Sequence, residues 1–125
     1  MIFDTDIFIW IQNGNKKAAG LVDRSEERYL SVYSYMELLK AAKNRQQHRY
    51  INDFLSSFAF VVLPLSESIG HRALIYLEEY TLSHGLTAGD AIVAATAAES
   101  KMTLVSSNVR HFKPIKELKL KVFTP

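Results

Sequence analysis

At 125 residues, with 48% apolar and 22% charged side chains, the chain is sized for one domain around one ordinary core. It contains no cysteine, which excludes disulfides, thiolate zinc sites and cysteine nucleophiles. Net charge is only +2, yet after residue 100 six basic residues (Lys101, Arg110, Lys113, Lys116, Lys119, Lys121) stand against one acid, Glu117. Lys40, Lys43, Arg45 and Arg49 form a second basic cluster. Such patches suit a polyanionic partner, although a solvated helix face and a charged edge strand account for them equally well. No apolar run nears the roughly 20 residues of a membrane span, and the opening Met1-Ile2-Phe3-Asp4-Thr5-Asp6 has no basic leader. A cytoplasmic protein without a membrane partner is the expectation, folded as a single domain over 1–125.

In chain order, residues 1–4 read as a short buried strand ending in an acid. Ile7, Phe8, Trp10 and Ile11 recur at helical spacing up to Gly14, and 16–28 is a polar helical stretch. Residues 29–33 are rich in strand formers. Helices are expected over 34–45 and 46–57, and a third strand over 58–63 is stopped by Pro64. Residues 66–83 form a long helix with Ile69, Ala73, Leu77 and Tyr80 on one stripe. Residues 87–100 are apolar almost all round, so this helix must be buried. Strands at 102–106 and 118–123 follow, the last an edge carrying alternating lysines. Strands alternating with helices predict a three-layer α/β/α fold around a mostly parallel five-stranded sheet. In such sheets ligands bind beyond the carboxyl ends of the strands, where the strand order reverses.

Three carboxylates fall at such places. Asp4 ends the first strand. Glu37 opens the helix after the second, and Asp90 opens the buried helix. Capping competes as an account: Ser34-Tyr35-Met36-Glu37 and Thr87-Ala88-Gly89-Asp90 both have capping-box spacing. Asp90 resists that account, because a carboxylate at the mouth of a buried helix is costly without a cation. Three acids on one sheet edge repel one another and coexist most easily around a hard cation. Mg²⁺ fits best, with Mn²⁺ as substitute. Such a site beside basic patches suggests phosphodiester hydrolysis, with Asp4, Glu37 and Asp90 as metal-binding and catalytic residues. Asp6 and Asn108 are expected to support them. Arg110, Lys113, Lys43 and Arg45 are candidate phosphate contacts. His111 reads as a loop residue packing beside Phe112.

Four segments then resemble a known family. They are Phe3 to Ile9, Ser31 to Leu38, Leu86 to Ala97 and Thr103 to Phe112. Their order and spacing are similar to the four motifs of PIN-domain proteins, and the nearest likeness is to VapC toxins of toxin–antitoxin pairs. The resemblance implies a Mg²⁺- or Mn²⁺-dependent endoribonuclease with an RNA substrate, tRNA or rRNA, whose cutting inhibits translation. It also implies a homodimer, a VapB-type antitoxin whose tail covers the site, and a supporting role for Ser106, the hydroxyl before the fourth position. Many members carry a further aspartate after the fourth strand, where this chain has Asn108 and His111. That departure keeps a non-catalytic RNA- or partner-binding module as the alternative. A haloacid-dehalogenase phosphatase is disfavoured, because Phe8 and Ala94 stand where its Thr or Val and its second Asp belong.

Overall fold

Ile2 and Phe3 are completely buried and form the central strand, β1 (Ile2–Phe3). The computed structural model describes Met1–Pro125. After β1 come α1 (Thr5–Gln12), α2 (Lys16–Arg24), β2 (Tyr29–Ser31), α3 (Val32–Ala41) and α4 (Arg45–Ser57). The chain continues through β3 (Val61–Leu63), α5 (Glu67–His84), α6 (Ala88–Glu99), β4 (Leu104–Ser106), α7 (Val109–Phe112) and β5 (Leu120–Val122). The five strands order β3-β2-β1-β4-β5, and every pairing is parallel. The lysine-bearing β5 is an edge, as its pattern predicts.

Side chains alternate across the sheet, so adjacent residues feed opposite layers. Ile2 pairs with Leu104 in register and points into one core, with α5 and α6. Phe3 pairs with Val105 and points into the other, with Ile7, Phe8, Leu38 and Leu55 from α1, α3 and α4. Both faces are covered, which is why the central strands read as continuous apolar runs. Alanines let α6 sit deep: Ala91, Ala94, Ala95 and Ala97 are all but inaccessible. At Gly89 a Cβ would lie 2.5 Å from the Tyr33 ring, so only glycine lets α6 approach α3 this closely. No helix is long and apolar enough to cross a membrane.

Several expected boundaries move. The second strand stops at Ser31 rather than 33, because Ser31 caps α3 by accepting from the Ser34 amide at 3.0 Å. The helix therefore begins at Val32, not Ser34. Ser34 is already inside it, so the competing capping box with Glu37 does not form. The polar second helix ends at Arg24, where Ser25 turns back to the Leu21 carbonyl. The short helix α7 lies in a stretch expected to be a loop.

Candidate functional site

Strand order reverses between β1 and β4. The carboxyl ends of these two strands lie side by side there, and a shared crevice opens beyond them. Asp4 follows β1 and is itself the N-cap of α1, its Oδ1 accepting from the Thr5 amide at 2.8 Å. Ser106 ends β4, and its hydroxyl donates to Asp4 Oδ2 at 2.8 Å. In the first turn of α1, Asp6 Oδ2 accepts from the Ser107 amide at 2.8 Å, and from the Ser107 hydroxyl. Asp6 Oδ1 is buried and has no partner.

Glu37 lies mid-way along α3 and reaches α1 instead of its own helix terminus: Thr5 Oγ1 donates to Glu37 Oε1 at 2.6 Å. Asp90 does make a capping box with Thr87, the two exchanging backbone-to-side-chain bonds. The box does not exhaust it. Asp90 Oδ2 also meets His111 Nδ1 at 2.7 Å, and His111 Nδ1 meets the Asn108 amide group at 3.1 Å. Asn108 belongs to the same framework through its backbone, which donates to Ser106 Oγ at 3.0 Å. His111 thus contacts Asp90 and does not merely pack beside Phe112.

The electrostatics follow from this crowding. Asp4 is 8% exposed. Burial, and then the Asp6 charge, push its carboxyl up to about 7, with a smaller push from Asp90; the bonds from Ser106 and Thr5 only partly offset this. Burial, then Glu37 and Asp90, likewise hold the Tyr33 phenol above its ordinary value. None of Asp4, Asp6 or Glu37 pairs with a lysine or arginine; the ion pairs join Arg72 to Glu99 and Glu117, and His111 to Asp90.

Asp4, Asp6, Glu37, Asp90, Ser106 and Asn108 thus gather at one edge. As placed, though, no three acidic or imidazole side chains stand close enough to hold an ion jointly. In this arrangement Asp4, Glu37 and Asp90 are each held by their own hydrogen bonds rather than drawn in around one point. The donor chemistry nevertheless suits a hard cation. Glu37 and Asp90 each keep one oxygen outside these bonds, and Asp6 buries one without a partner. Arg110 and Lys113 are exposed and flank His111. Lys43 lies in the link between α3 and α4, and Arg45 opens α4. A concavity of about 480 Å³, lined by Leu38, Ala42, Tyr50 and Ile51, lies away from the acids, between α3 and α4. The bonds made here by Thr5, Ser107 and His111 are not foreseen from the sequence. Only Thr5 carries a signal there, its place between Asp4 and Asp6.

A family model described as PIN domain matches residues 1–118. A Mycobacterium tuberculosis protein, Ribonuclease VapC10, is 34% identical over 91 residues, covering 72% of this chain but 66% of that relative. The match therefore spans just under two thirds of the relative's length. A toxin–antitoxin complex from Klebsiella pneumoniae contains a chain 26% identical with TM-score 0.79, covering 94% of this chain and 93% of that one. VapBC-1 from nontypeable Haemophilus influenzae contains one 24% identical with TM-score 0.81, covering 98% of each chain.

Proposed function

Because the chain belongs to the PIN-domain family, we propose that it is a ribonuclease that hydrolyses RNA phosphodiester bonds as the toxin of a toxin–antitoxin pair. One observation carries the reading: a buried carboxylate, Asp4, is crowded by Asp6 and Asp90, and no lysine or arginine neutralises these acids. Uncompensated buried charge is costly, so a fold retains it where a cation completes it.

Mg²⁺, with Mn²⁺ as substitute, is the cation proposed, held by Asp4, Glu37 and Asp90. When bound, the metal supplies Lewis acidity for the phosphate and a nucleophilic water. The chain's own residues do the rest. Ser106 and the Thr5 amide fix both oxygens of Asp4. Thr5 Oγ1 keeps Glu37 turned toward α1. Asp6 locks the start of α1 to the end of β4 through Ser107, so the acids from the two strands stay in one crevice. Arg110 in α7 and Lys113 at its end, both exposed, are the cations proposed to draw the polyanionic substrate.

The partner proposed is a VapB-type antitoxin, in keeping with the likeness to the Klebsiella toxin–antitoxin complex. The expected assembly is a homodimer, and the expected targets are tRNA or rRNA.

Cleavage of structured RNA by the purified chain, with Mg²⁺, Mn²⁺ or chelator, is the test. Metal-dependent scission lost in Asp90→Asn is the expected result. RNA left intact under every condition by a folded wild-type protein sinks the reading and leaves the binding module.

A further inference from the structure

His111 reaches Asp90 from the segment after β4, where many PIN-domain proteins carry a further aspartate. Its imidazole bridges three elements. Nδ1 lies 2.7 Å from Asp90 Oδ2 at the start of α6, and 3.1 Å from the side-chain amide of Asn108 before α7. Nε2 packs over the turn between α5 and α6, 3.9 Å from where a Cβ on Gly85 would sit. Donor and acceptor roles follow from chemistry. An ionised carboxylate can only accept, so Nδ1 carries the proton. The Asn108 atom 3.1 Å from Nδ1 is the amide nitrogen, and two N–H groups cannot face each other, so a protonated Nδ1 requires the amide turned over to present its oxygen.

Both protein bonds to the Asp90 carboxylate end on one atom. Oδ2 receives the Thr87 amide at 3.2 Å and His111 Nδ1, while Oδ1 receives neither. The Thr87 bond is long and lies within one helical turn, so by itself it leaves the carboxylate plane free to rotate. The imidazole, anchored from another element, removes that freedom.

We propose that His111 is a positioning residue of the metal site: its Nδ1–H fixes Oδ2 of Asp90, so that Oδ1 is presented to a divalent cation. The inference rests on the nuclease reading above. Hydrogen-bonding partners that orient a metal-ligating carboxylate typically contribute 10–100-fold in metal affinity.

Mn²⁺ titration of the full-length protein, followed by electron paramagnetic resonance, tests it. The set is wild type, Asp90→Asn, His111→Ala, His111→Gln and His111→Asn, each first checked for cooperative unfolding in chelator. An asparagine amide reaches the place of Nδ1, whereas a glutamine amide reaches that of Nε2. Mn²⁺ binding is expected to weaken about 10–100-fold in His111→Ala and His111→Gln, and to stay within about threefold of wild type in His111→Asn. Unchanged affinity in His111→Ala overturns the proposal. So does equal weakening in all three, which assigns His111 to packing alone. A folded wild type that binds no Mn²⁺, or an Asp90→Asn protein that binds as wild type does, removes the metal reading and this inference with it.

Discussion

Thr5 Oγ1 donates a 2.6 Å hydrogen bond to Glu37 Oε1 across 32 residues of sequence. It joins the first residue of α1, next to Asp4, to the middle of α3. This bond ties Glu37 to the strand-end crevice, whereas the spacing from Ser34 also suited a helix cap.

Thr5→Ala should therefore reduce cleavage while Thr5→Ser keeps it. A hydrogen bond to a charged acceptor contributes about 1.5–3 kcal/mol, so Thr5→Ala should also lower unfolding free energy by about that much. Urea unfolding and single-turnover cleavage check the pair. Equal activity in Thr5→Ala and wild type would remove Glu37 positioning from the account.

Glu37→Gln should lower cleavage by about 100-fold or more if Glu37 binds the metal or orients water. Its stability should change by only about 1 kcal/mol, because a glutamine amide oxygen still accepts from Thr5 Oγ1 and Ser31 already caps α3. A large stability loss with activity intact is the contrary result.

Asp4 predicts a pH dependence. Its folded value, about 7, lies above the unfolded 3.8, so the fold favours the protonated form. The stability this contributes is fully present below pH 3.8 and is lost as pH rises through about 7. In chelator the protein should therefore lose stability between about pH 4 and 7 through this group. Asp4→Asn should remove that component and be more stable than wild type at pH 8 by a few kcal/mol, because each tenfold change in proton affinity corresponds to about 1.4 kcal/mol. It should at the same time be inactive. Thermal melts across pH in chelator decide; an Asp4→Asn protein less stable than wild type at pH 8 contradicts the burial argument.

Gly89→Ala places a methyl 2.5 Å from the Tyr33 ring. Overpacking of this kind costs about 1–3 kcal/mol. Tyr33→Leu in the same chain should recover much of it, and a double-mutant cycle should show the coupling. Additive losses would mean that α6 shifts away from α3 freely.

Much of this was legible from local pattern. The strand–helix alternation, the buried alanine helix α6 and the lysine-bearing edge strand follow from periodicity and composition, and Asp4, Glu37 and Asp90 stand out by their places after strands or at a helix start. Those readings depend on neighbours within a few residues, and there the side-chain period decides. Local pattern did not separate Ser31 from Ser34 as the cap of α3, since both are good caps three residues apart; the end of β2 against β3 decided for Ser31.

Tertiary structure alone determined who touches whom at the site. Ser106 meets Asp4 across 102 residues, Thr5 meets Glu37 across 32, and His111 meets Asp90 across 21. A hydrogen bond tolerates only a few tenths of an ångström. Parallel register and helix docking set distances at that scale, and no count of residues along the chain encodes them.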